Sequence, residues 1–139
     1  MAVPGGGTNG TAVRTEMTYL ALDNLEIVLL PGEAFPELIY GGYSIAENTA
    51  KNLPASINPK PFIEIAKNPN LLVFGLANDM LGYFIPPNDY YLHPRRPYLS
   101  CVRDRLDRNH YHETNSLGPN IAGKLAEIFE KMVADRDSM

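Results

Sequence analysis

Two short stretches of this chain are almost wholly apolar, and each runs straight into a tight polar turn. Leu25-Glu26-Ile27-Val28-Leu29-Leu30 stops at Pro31-Gly32, and Leu71-Leu72-Val73-Phe74-Gly75-Leu76 stops at Ala77-Asn78-Asp79. Neither stretch alternates apolar with polar residues as a strand with one wet face does. Both therefore read as buried strands, too short for a core helix. Pro31 ends the first because proline cannot donate to a ladder. Ligands in open α/β sheets sit beyond the carboxyl ends of the strands. The two turns are thus the first places to look for chemistry.

The remaining elements arrange themselves around these two. Thr18-Tyr19-Leu20-Ala21-Leu22 is β-prone, and Asp23-Asn24 connects it to the first apolar stretch as a hairpin. A short helix is expected within 33–40, and a helical turn over 44–52 with Ser44 and Glu47 at capping-box spacing. Pro54, Pro59 and Pro61 make the following segment a loop, and 61–67 reads as another short helix. The stretch 90–112 is polar, rich in Tyr and Arg and without a clear period, so it reads as a long ordered loop with at most one edge strand. Gly118-Pro119 opens the last helix, where Ile121, Leu125, Ile128, Phe129 and Met132 form one apolar stripe. The expected fold is α/β or α+β. It has a small mixed sheet with buried strands near 18–22, 25–30 and 71–76, flanked by short helices and a C-terminal amphipathic helix near 119–134.

At 139 residues the length suits one domain. Residues 1–14, with Gly5-Gly6-Gly7, read as a flexible leader rather than a signal peptide, and 15–135 as a single α/β domain. With 12 basic and 16 acidic residues the formal charge is −4, which argues against a nucleic-acid binder. Arg95, Arg96, Arg103, Arg105 and Arg108 do cluster among Tyr90, Tyr91 and Tyr98, but Asp89, Asp104 and Asp107 beside them point to local ion pairs. No run approaches the ~18 apolar residues of a membrane-spanning helix. The single Cys101 excludes a disulfide framework within the chain and reads as a small buried residue. Localisation is not legible.

Three places can carry chemistry. Glu33 is delivered by a buried strand and a Pro-Gly turn, which suits a metal ligand or general base; the commoner role for such a residue is a first-turn helix acid. Asn78, Asp79 and Tyr83 follow the second strand, where they offer hydrogen-bonding groups and a phenol; the commoner role for such residues is a turn and a half-buried aromatic. His110 and His112 would share a face in an extended segment and, with Glu113 alongside, would approach one ion; a hydrogen-bonding or surface role is the alternative.

Read together, these segments resemble the later part of the catalytic domain of neutral, non-lysosomal ceramidases and their bacterial relatives. Leu30-Pro31-Gly32-Glu33 resembles that family's Pro-Gly-Glu turn. Gly75-Leu76-Ala77-Asn78 through Tyr83 resembles its Gly-Leu-Ala-Asn segment ending in tyrosine. His112-Glu113-Thr114 through Gly118-Pro119, with the helix behind it, resembles its Tyr-Glu…Gly-Pro segment. The similarity runs from about Met17 to Met132. It implies a zinc amidase, in which two histidines, a glutamate and a tyrosine hold the metal. Glu33 would be the glutamate ligand and Tyr83 the tyrosine ligand, with Asn78, Asp79, His112 and Glu113 as candidate pocket residues.

The family's zinc histidines and active-site serine lie upstream of its Pro-Gly-Glu turn, and here no histidine precedes Glu33. The resemblance therefore implies a fragment of a larger hydrolase domain that carries part of a Zn2+ site and is inactive alone. The alternative is a scaffold or partner-binding module that kept the fold without the chemistry. Expected partners are the missing N-terminal part of the hydrolase or a second copy, since strands apolar on both faces need cover.

Overall fold

The structure is a computed structural model that describes residues 2–3, 13–97 and 103–138. Most of the expected leader, together with Tyr98 and Cys101, lies outside the described residues. Ala2–Val3 (β1) and Val13–Arg14 (β2) pair as a short antiparallel ladder.

The fold is α/β, built on a mixed three-stranded sheet. Thr18–Leu22 (β3) and Leu25–Leu29 (β4) form the expected antiparallel hairpin, from Thr18 opposite Leu29 to Leu22 opposite Leu25. Asp23 takes the positive φ that the tight turn requires, a conformation Asp tolerates better than most residues. The second apolar stretch contributes Leu72–Phe74 (β6), parallel to β4, with Ile27 opposite Leu72 and Leu29 opposite Phe74. Between them in sequence come Glu33–Ala34 (β5), two short helices Pro36–Tyr40 (α1) and Phe62–Ala66 (α2), and two 3-10 turns, Ala46–Asn48 and Ala55–Ile57. Tyr83–Phe84 (β7) pairs in parallel with β5. Tyr111–Thr114 (α3) and Ile121–Asp137 (α4) complete the chain.

Helix α4 covers one face of the sheet with Leu125, Phe129 and Val133, all buried. Phe129 is fully enclosed, edge-on to Tyr19 of β3 (5.2 Å) and tilted against Phe62 of α2 (4.9 Å). Burying such a side chain contributes about 1.5–3 kcal/mol. At the end of α4, Arg136 Nη1 donates to Tyr19 Oη (2.7 Å) and Glu26 Oε1 (2.8 Å). This explains the one charge inside the first apolar stretch: Glu26 sits on the helix-facing side and is neutralised there.

Three expectations need correction. The strands stand where expected, but they are not buried on both faces. Only Val28, and Leu30 just past β4, are fully enclosed, while Leu20, Leu22, Leu25, Leu72 and Phe74 are exposed. A single long helix covers a single face. Ser44 does not cap a helix: the 3-10 turn over Ala46–Asn48 starts from Ile45 without a side-chain cap, and the Ser44 carbonyl accepts from Asn88 Nδ2 (2.8 Å). The 90–112 segment runs into a helix, α3, that starts at Tyr111, so the His110/His112 pair is not extended. Among the described residues no helix is long and apolar enough to cross a membrane.

Candidate functional site

The turns after β4 and β6 meet. Leu30 N donates to Phe74 O (2.8 Å), Ala77 N to Leu30 O (3.0 Å) and Leu81 N to Pro31 O (2.8 Å). The ladder then continues one strand pair further on: Glu33 N donates to Gly82 O (2.9 Å) and Phe35 N to Phe84 O (3.0 Å). Two glycines make this approach feasible. A Cβ on Gly32 would lie 2.5 Å from Gly82 O and 2.7 Å from the Phe84 ring. Gly82 has φ +80°, and a Cβ there would lie 1.7 Å from Asn115 O. The side-chain-free contact lets Tyr83 N donate to Asn115 O (2.9 Å), which ties β7 to the end of α3.

Through this arrangement Glu33 and Tyr83 are direct register partners in the parallel β5–β7 ladder. Partners in a parallel ladder present their side chains to the same side. Glu33 is exposed and Tyr83 half-buried. The Tyr83 hydroxyl shares a hydrogen bond with the Tyr111 hydroxyl (3.2 Å). That bond, partial burial and the negative charge of Glu33 together push the Tyr83 phenol up to about 12.

His112 stands in the same group. Its ring is edge-on to Tyr83 (4.6 Å) and to Phe35 (5.3 Å), and it lies against Tyr111 (3.9 Å). Burial pushes its imidazole below the ordinary value, Glu113 pulls it up, His110 lowers it further and Glu33 raises it. The cluster Glu33, Tyr83, Tyr111 and His112 thus combines a carboxylate, two phenols and an imidazole that favours its neutral form. Hard oxygens and a neutral nitrogen are donors zinc accepts.

The other expected residues lie elsewhere. Asn78 Nδ2 donates to Thr18 Oγ1 (3.2 Å) and Glu16 O (3.4 Å), and Asp79 Oδ2 accepts from Thr15 Oγ1 (2.6 Å). Both tie the β6–β7 turn to the segment before β3. Glu113 is buried with His110. His110 Nδ1 bonds Glu113 Oε1, and its Nε2 bonds Asp104 Oδ2 (2.9 Å). Asp104 also accepts from the Leu106 and Arg108 backbones, and Arg108 forks onto Asp89 (2.7 and 3.0 Å). The two histidines therefore have different neighbours. Residues two apart around a helical turn face away from one another, and here one faces carboxylates and the other aromatics.

Tyr111 and Phe35 carry no sequence signal for this place, whereas Asp104, expected to form a local ion pair, does so with Arg108 and also holds His110. Tyr111 arrives on α3, a helix too short and too polar to show a period, and Phe35 stands just before α1. Arg105, part of the expected basic cluster, donates to the Glu47, Thr49 and Ala50 carbonyls and to Asn52 Oδ1, a purely internal tie. Among the described residues, no three His, Cys, Asp or Glu side chains form a group able to hold a metal ion. A cavity of about 510 Å³ opens at the start of α4, lined by Lys51, Ile57, Asn58, Tyr90, Pro119 and Asn120 among others. Neither Glu33 nor Tyr83 lines it.

No family model, no curated protein and no solved structure matches the chain.

Proposed function

We propose that this chain carries the glutamate–tyrosine half of the zinc centre of a ceramidase-like amidohydrolase, and that it is inactive until the histidine half is supplied from elsewhere. The observation that carries this reading is the register: Glu33 and Tyr83, the two residues the family resemblance points to, are direct partners at the start of the parallel β5–β7 ladder, downstream of the parallel strands β4 and β6. Their donor atoms fit the group. Glu33 offers an exposed carboxylate that no described side chain occupies, and Tyr83 a phenol oxygen fixed by Tyr111. Zinc, when bound, lowers the pKa of oxygens it touches and activates water for attack on an amide. Glu33 supplies the charge that attracts the cation. Tyr111 orients the Tyr83 oxygen by accepting or donating its hydrogen bond. Two or three donors bind zinc weakly, since stable sites use about four.

Competition titration of zinc against a chromophoric chelator tests this. Weak binding is expected, reduced at least about tenfold (~1.4 kcal/mol) by Glu33→Ala or Tyr83→Phe and untouched by His93→Ala, which removes an imidazole outside the cluster. No zinc binding by the parent chain, or binding that both Glu33→Ala and Tyr83→Phe leave intact, sinks it. An amidase assay on the isolated chain is expected to show no turnover.

A second reading, the scaffold without chemistry, is favoured by one observation. The Tyr83–Tyr111 bond and the raised Tyr83 pKa hold the phenol in its neutral form, which is what a packing aromatic needs and a ligand does not.

A further inference from the structure

The sheet face turned away from α4 carries side chains of one kind. Because strand residues alternate, the residues that share a side with Leu25, Ile27 and Leu29 are fixed by register: Leu20 and Leu22 on β3, and Leu72 and Phe74 on β6. Thr18, opposite Leu29, is the one polar member, and Asn78 holds its hydroxyl at the edge. No charged residue belongs to this side of the three strands. Leu20, Leu22, Leu25, Leu72 and Phe74 are between 42% and 64% exposed.

We infer that this face is the interface of a two-fold homodimer, with the three-stranded sheets of two copies stacked face to face. Two features of the face select a second copy as occupant. The first is charge. The chain carries −4, so two copies repel each other overall, and the charge-free sheet face is where they can meet without opposing like charges. The second is area. From those exposures the apolar surface amounts to roughly 500 Å², at the upper end of what monomers leave open. It makes up most of the ~800 Å² per partner that a standard interface buries, with a polar rim supplying the rest. Sheets that stack this way lie about 10 Å apart with strands about 30° from parallel. An isologous contact uses the same patch twice, so Leu22 and Phe74 of each copy enter the seam. This inference does not depend on the zinc reading, because the Glu33–Tyr83 ladder lies beyond the three strands that form the face.

Sedimentation velocity on the whole chain, from about 1 to about 100 μM, tests it. A concentration-dependent dimer is expected. Leu22→Lys and Phe74→Lys place charges in the seam and are expected to weaken the dimer at least about tenfold. Both side chains are solvent-exposed in the single chain, so far-UV circular dichroism is expected to stay unchanged. Leu76→Lys, exposed just beyond the ladder, serves as a milder neighbour if a seam variant misfolds. A monomer throughout the range overturns the inference. So does a dimer that both seam variants leave intact, since its interface then lies elsewhere.

Discussion

Gly82→Ala is expected to destabilise the fold by about 2–4 kcal/mol. At φ +80° any L side chain is strained, which contributes about 1 kcal/mol. The new Cβ would also stand 1.7 Å from Asn115 O. That oxygen belongs to the backbone and accepts from Tyr83 N, so it cannot swing aside as a side chain would. Separating β7 from the end of α3 adds an overpacking term of about 1–3 kcal/mol. Domains carry only about 5–15 kcal/mol in total, so the loss is a large share. Gly42 provides the control. It has φ +80° as well, but nothing lies within 4 Å of its Cβ position, so Gly42→Ala pays the conformational term alone. Urea denaturation of both variants separates the two contributions. Equal losses would mean that the contact with Asn115 contributes nothing.

The same substitution bears on the site. Glu33 N donates to Gly82 O, so moving Gly82 breaks the register that sets Glu33 beside Tyr83. Any function that uses the two side chains together is expected to be lost with it, before the protein unfolds globally.

How far the sequence foretold this arrangement depends on the strength of local signals. The hairpin was legible because two β-prone runs flank a two-residue Asp-Asn turn. Helix α4 was legible because Ile121, Leu125 and Phe129 recur at helical spacing over a long stretch. That Glu33 and Tyr83 stand side by side agrees with each following an apolar strand. Their parallel pairing did not, because strand direction is set by the long crossover through α1 and α2, which carries no local mark. The open outer face looks like core in the sequence because Leu20, Leu72 and Phe74 are as apolar as core residues; composition alone does not reveal that only one layer is available to cover them. Helix α3 escaped because four residues, Tyr111–Thr114, are too few for a period, and its polar side chains turn inward to one another. That omission also hid the parting of His110 from His112.

The buried charges around His110 give the chain a stability that depends on pH, and removing His110 is expected to cost about 3–5 kcal/mol. The imidazole is nearly enclosed, between an Asp104 carboxylate with no exposed surface and a Glu113 carboxylate that is almost as deep. Burial pushes its pKa down, but the bonds and charges of Glu113 and Asp104 outweigh this and raise it above the ordinary value. Burial likewise pushes Asp104 up, yet the backbone donors of Arg108 and Leu106, His110 and the Arg108 guanidinium hold it well below the usual carboxylate range. Arg108, bound to Asp89 and Asp104, is the only other cation facing these carboxylates among the described residues. For a raised histidine, the stabilisation is fully present below its unfolded pKa and lost as pH rises through the folded pKa. For a lowered aspartate, it is present above the unfolded pKa and lost as pH falls through the folded one. Stability is therefore expected to be highest in the mildly acidic window between ordinary carboxylate and histidine titration, and to decline on the alkaline side. In His110→Ala, Asp104 and Glu113 are left buried with one cation fewer, and the alkaline decline disappears because the group responsible for it is gone. Urea unfolding of the parent chain and the variant across pH 5–9 measures both effects. A variant whose alkaline limb follows that of the parent would show that some other group governs it.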